Sequence, residues 1–237
     1  MEKQNHLEEP QSGEIGLMTK PLARRSFLKF TGAGVAAATL VMAGCKAEQP
    51  MQISDADGVD LGSGDVGILN YAYALEQLEA AFYIQALATP YSGISNMEKS
   101  YLHDICEHEV AHREFFKTAL GAGAIASLEF DFSTIDFSSR DSVLGTAKAL
   151  EDVGVSAYNG AGQLLQSPDF LLLAGKIVSV EARHAALIRN LISCGSFANS
   201  EVVDGNGLDV VRTPSEVLAI AGGFIKTKIN ASNLPTS

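Results

Sequence analysis

Apolar residues recur at helical spacing along most of the chain after residue 65, with one long interruption at residues 121–139. A first helix is predicted over 65–88. Asp65 is positioned to cap it, and Leu69, Tyr73, Glu76, Ala80, Tyr83 and Leu87 fall on one stripe. Pro90 to Gly93 supplies a turn. Ser95 or Asn96 then caps a second helix that runs to about residue 120 and stops at Gly121 and Gly123. A third helix is expected over 141–165. Ser167-Pro168 gives an N-cap and a first-turn proline for a fourth, ending near Cys194-Gly195. Thr213-Pro214 opens a short apolar helix over 215–221. The interruption is rich in Gly, Phe, Ser and Asp and alternates at Leu128-Glu129-Phe130-Asp131-Phe132. It is too long for an ordinary loop in a compact domain, but suits a crossover running the length of a bundle. The pattern therefore predicts an all-α four-helix bundle over 65–195, with a long crossover between the second and third helices and a C-terminal extension over 196–237.

Charged residues interrupt the apolar stripes in a pattern that occurs twice. Glu76 is followed seven residues later by Tyr83, then by Glu109-x-x-His112; Glu151 is followed seven residues later by Tyr158, then by Glu181-x-x-His184. Residues i and i+3 share a helix face, so each Glu-x-x-His aims a carboxylate and an imidazole at one point. A lone Glu on each partner helix completes a two-metal site inside a bundle. Carboxylate with imidazole suits Fe or Mn. The first-helix ligand is Glu76 or Glu79, and the shared seven-residue spacing to tyrosine favours Glu76. Tyr83 and Tyr158 fall on the ligand faces, where each serves either as a core residue with a bonded hydroxyl or as a redox group.

Composition narrows the partners. The net charge is -11, which argues against nucleic acid. Hydrophobic residues make up 46% of the chain, enough for one well-buried core. The first 45 residues read as an address. Arg24-Arg25-Ser26-Phe27-Leu28-Lys29 resembles the twin-arginine export motif, followed by an apolar run over 33–44 that is too short for a mature membrane span. Met42-Ala43-Gly44-Cys45 resembles a lipoprotein cleavage box, with Met42 where an aliphatic residue is usual. Expected partners are therefore the export machinery and, through lipid on Cys45, a membrane. Residues 46–64 read as a flexible tether. Twin-arginine export carries folded proteins, which suits a protein that takes up its metals in the cytoplasm. The expected location is periplasmic or extracytoplasmic. Oligomeric state is left open.

Helix pair, long crossover, helix pair is the ferritin-like topology. The chain resembles the ferritin-like superfamily over about 65–195, and within it the exported, desiccation-related branch. The segments that carry this are 75–83, the Glu109–His112 pair, 150–158 and the Glu181–His184 pair. The ligand pattern is similar to those of bacterioferritins and rubrerythrins. The resemblance implies that Glu76, Glu109, His112, Glu151, Glu181 and His184 hold two Fe or Mn ions. The chemistry then expected is redox, on O2 or peroxide. A non-catalytic envelope or stress protein that keeps the fold is the alternative. A tethered N-terminus and a C-terminal extension argue against a closed storage cage.

Other features have competing readings. His108-Glu109-x-x-His112 spells a zinc-hydrolase motif. Against it, Val180 stands where His108 would recur, and an all-helical fold lacks a sheet edge for a peptide. His108 should then face sideways, and His103 reads as a surface or packing residue. Gly154, within a turn of Glu151, either opens space at the metals or packs two helices closely; Gly160 and Gly162 suit close packing or an early helix end. Cys106 and Cys194 should lie too far apart to pair, since helix rise puts the first about 4.5 Å from the Glu109 level and the second, on the same side, about 15 Å from the His184 level.

Overall fold

The computed structural model describes residues 58–236 of the chain. The export motif at Arg24 and Arg25, the apolar run, Cys45 and most of the tether lie outside the described residues. Four long helices form the bundle: α1 (Gly64–Ala88), α2 (Asn96–Leu120), α3 (Arg140–Gly162) and α4 (Pro168–Ile192). A short α5 (Pro214–Ala221) follows. Among the described residues, no helix is long and apolar enough to cross a membrane.

Local signals set most boundaries. Ser95 and Glu98 form a reciprocal capping box at the start of α2. Ser139 and Ser167 accept N-cap hydrogen bonds at α3 and α4, and Pro168 occupies the first turn of α4. Asp65 departs from its expected role. Ser63 is the N-cap of α1, and Asp65 instead accepts from the backbone N–H groups of Gln166 and Ser167 at 2.7 and 2.9 Å. It thus fixes the α3–α4 turn. α3 ends at Gly162, short of the expected residue 165, at the glycines where the C-terminal extension arrives.

The crossover lies along α1. Asn70 donates to the Leu61 and Gly123 carbonyls and accepts from Ile125 N–H. Gln77 accepts from Leu128 N–H. Phe82 meets the Phe132 and Phe137 rings. This covering explains why α1 is not the one-striped helix the sequence implied: every residue from Asn70 to Ala80 is buried.

Two further segments differ from the sequence reading. The tether does not extend to residue 64: β1 (Val59–Asp60) pairs in parallel with β2 (Ile229–Asn230), and Leu61 is fully buried. The C-terminal extension is equally integral. Arg189 of α4 is buried and bonds Asp152 of α3 together with Asn199 and Glu201 of the extension. Further on, Arg212 N–H donates to the Ser156 carbonyl.

Candidate metal centre

The four helices bring their carboxylates and imidazoles to one buried point. Glu76 comes from α1, Glu109 and His112 from α2, Glu151 from α3, and Glu181 and His184 from α4. All four of these glutamates are fully buried. His112 Nδ1 lies 2.9 Å from Glu181 Oε1, 3.3 Å from Glu76 Oε2 and 3.7 Å from Glu109 Oε2. His184 Nδ1 lies 2.7 Å from Glu109 Oε1, 3.5 Å from Glu151 Oε2 and 3.9 Å from Glu181 Oε2. Two overlapping groups result: Glu76, Glu109, His112 and Glu181, and Glu109, Glu151, Glu181 and His184. Glu109 and Glu181 give one oxygen to each group, the arrangement of bridging carboxylates. Glu76 and Glu151 each belong to one group, the arrangement of terminal ligands.

Short as some of these separations are, none has hydrogen-bond geometry. Glu76 Oε2, both oxygens of Glu109 and Glu181, Glu151 Oε2 and the Nδ1 atoms of His112 and His184 are buried without a hydrogen-bond partner. Orphaned buried polar atoms are costly, and these face one another in two sets of one nitrogen and three oxygens. Four carboxylate charges match two divalent cations, and the oxygen–imidazole donor set without thiolate is suited to Fe or Mn. The residues therefore fit a metal pair.

The outer oxygens are satisfied across the bundle. Tyr83 of α1 donates to Glu151 Oε1 of α3 at 2.5 Å. Tyr158 of α3 donates to Glu76 Oε1 of α1. Each tyrosine thus serves the other half's glutamate. Burial, reinforced by the nearby carboxylate charges, keeps both phenols well above their usual range, so they remain protonated donors.

Burial is the largest single influence on each ligand, but it decides the direction at only three of the six. It raises Glu76 to about 7 against the pull of His112 and Tyr158. It raises Glu151 too. Glu181 rises well above the carboxylate range, pushed further by Glu109 and Glu76. Glu109 moves the other way. Its contacts with His112 and His184 outweigh burial and hold it at about 2. Burial would lower the two imidazoles, but the carboxylates around them outweigh it and lift His112 to about 12 and His184 to about 10. Without cations, then, the cluster offsets its negative charge by retaining protons.

Three residues complete the site. Glu79 belongs to neither group, yet it is not solvated. It is buried, and burial with the charges of Glu181 and Glu109 raises it well above the carboxylate range. Gly154 makes its room: a Cβ there would stand 2.9 Å from Glu79 Oε1 and 3.5 Å from Glu181 Oε2. Space for carboxylates is thus what this glycine provides. His108, expected to face sideways, meets the neighbouring ligand helix: its Nδ1 is 2.9 Å from His184 Nε2, with the rings stacked at 5.1 Å. With Nδ1 of His184 turned to the carboxylates, its Nε2 carries the hydrogen and donates to His108. His108 belongs to neither candidate group, unlike the first histidine of a zinc-hydrolase motif. Cys106 and Cys194 are free thiols, the first buried and the second exposed.

A four-helix bundle with a crossover between its helix pairs, built around a buried carboxylate–imidazole cluster that could hold metal ions, has the architecture of the ferritin-like class. The chain belongs to the ferritin-like domain family, whose profile matches residues 64–193, the extent of α1 to α4. None of the curated proteins compared matches the chain.

Proposed function

We propose that this protein holds two Fe or Mn ions in the cluster and carries out redox chemistry on O2 or peroxide outside the cytoplasm. In this reading Glu109 and Glu181, which belong to both groups, would help to hold both ions. Glu76 with His112 would help to hold one ion, and Glu151 with His184 the other. The observation that supports it is the set of eight inward, buried atoms without hydrogen-bond partners. The metal pair, when bound, supplies electrons for reduction of the oxidant. The chain's own part is to orient and shield. Tyr83 and Tyr158 hold the outer oxygens of Glu151 and Glu76, which turns the inner oxygens toward the centre. The apolar bundle keeps bulk water away, which strengthens every charge interaction inside it. The Arg24-Arg25 motif and Cys45 support export and lipid anchoring as part of the same reading.

The test is metal content per chain after native export and purification without chelators. About two Fe or Mn per chain are expected, falling sharply in His112→Ala and His184→Ala. Fe(II) or peroxide turnover should be lost in Glu109→Ala with the fold retained. One Zn, lost only with His108 or His112, would instead point to a hydrolase. No metal under loading conditions would leave a non-catalytic envelope or stress protein.

A further inference from the structure

At one end of the bundle an apolar chamber of about 30 Å³ lies between all four helices. Its inner wall includes Ala72, Phe116, Tyr158 and Ile177, and Phe170 and Leu173 stand at its half-buried rim. Register places it against the cluster. Ala72 precedes Glu76 by four residues, Phe116 follows His112 by four, and Ile177 precedes Glu181 by four. Each is thus one helical turn, about 6 Å, from a member of the His112-side group. Tyr158 closes the gap, since its ring lines the chamber and its hydroxyl donates to Glu76.

The internal repeat supplies a comparison. In the other half the same wall positions are Ala147, Ile188, Tyr83 and Ile105. Those four are 0, 0, 0 and 2% exposed, whereas Ala72, Phe116, Tyr158 and Ile177 are 7, 2, 7 and 8% exposed. Near-equivalent walls therefore flank the two ends of the cluster, and the wall at the His112 end is the less tightly sealed of the two.

We propose that this chamber admits dioxygen to the His112 side of the centre and selects it over hydrogen peroxide; this rests on the redox reading above. The space, open at its rim, takes one small molecule. Its walls are hydrocarbon, and small apolar cavities of this kind stay dry and accept apolar gases. Peroxide would have to shed its hydrogen bonds to water on entering and regain none. A longer apolar occupant, such as a lipid chain, does not fit the volume.

Xenon reports the chamber directly, without metals or turnover. In crystals of the full chain under xenon pressure, xenon should occupy the space between Phe116 and Tyr158. It should be lost in Ala72→Phe and in Ala174→Leu, the latter at the rim and less able to disturb folding. In metal-loaded protein the same variants should lower the ratio of dioxygen-driven to peroxide-driven rate about tenfold, with metal content retained. Active, metal-loaded protein that binds no xenon would overturn the chamber alone. Protein that takes up no metal would overturn the redox reading and dioxygen delivery with it. A co-purified fatty acid in the chamber would overturn dioxygen as its occupant.

Discussion

Each inward atom of the cluster has a chemical need that its neighbours do not meet, and protons stand in for cations. The consequence has a definite sign. His112 and His184 hold their protons more tightly in the folded chain, with values near 12 and 10 against an ordinary 6.5. Their stabilising contribution is complete below about 6.5 and is lost as pH rises through the folded values. Glu76, raised from 4.5 to about 7, acts in the same direction between those two values. Glu109 is held at about 2, so its contribution is present above 4.5 and disappears only in strong acid. Metal-free protein should therefore melt at a lower temperature at pH 9 than at pH 6. Metals require the same groups unprotonated, so loading should offset that loss at pH 9. Thermal melts in chelator and in excess Mn(II) at the two pH values check this. An unchanged or higher melting temperature at pH 9 in chelator would contradict it.

Among the elements, α3 shows how a helix is fitted to both its neighbours. Gly154 gives space to the Glu79 carboxylate. Gly160 gives space to the chain itself, since a Cβ there would fall 1.8 Å from the Arg212 carbonyl oxygen, a backbone atom with no side-chain freedom to yield. Gly160→Ala should therefore destabilise the fold by about 2 kcal/mol or more, by displacing residues 210–212 from α3. A urea melt measures it, and an unchanged midpoint would refute the close approach. The sequence could not have located this contact, because Arg212 arrives from fifty residues downstream. The ligand helices were legible for the opposite reason: Glu-x-x-His and the Glu–Tyr spacing are local, periodic and present twice. Local patterns also marked the crossover, through its length and its lack of helical period. They failed for α1, whose outward side reads as polar enough for solvent at Asn70 and Gln77. Both side chains instead satisfy the crossover backbone. His108 was missed because its partner, His184, lies on another helix.

For the whole molecule, the bundle is held closed by segments that the helical pattern does not contain. β2 pairs with β1, Ile225 bridges to Phe130, and Thr227 accepts from Glu129 N–H. Leu61 and Leu234 are buried in the same core. Ending the chain at Ala221 should lower stability by about 2 kcal/mol or more, since it uncovers apolar surface and leaves β1 unpaired. Metal content per chain should be retained, because all six candidate ligands lie within α1 to α4. Denaturant midpoint and metal analysis of the shortened chain test both halves of that statement. The β1–β2 pair also carries information about time. Its two strands lie on either side of the four bundle helices in chain order, so a ribosome releases the second only after all four have been made. The closure of β2 on β1 therefore comes after the whole bundle has been synthesised, whatever the helices do earlier. An interrupted product carries a bare strand edge at Val59–Asp60, a mark of incompleteness that proteases or holdases can read.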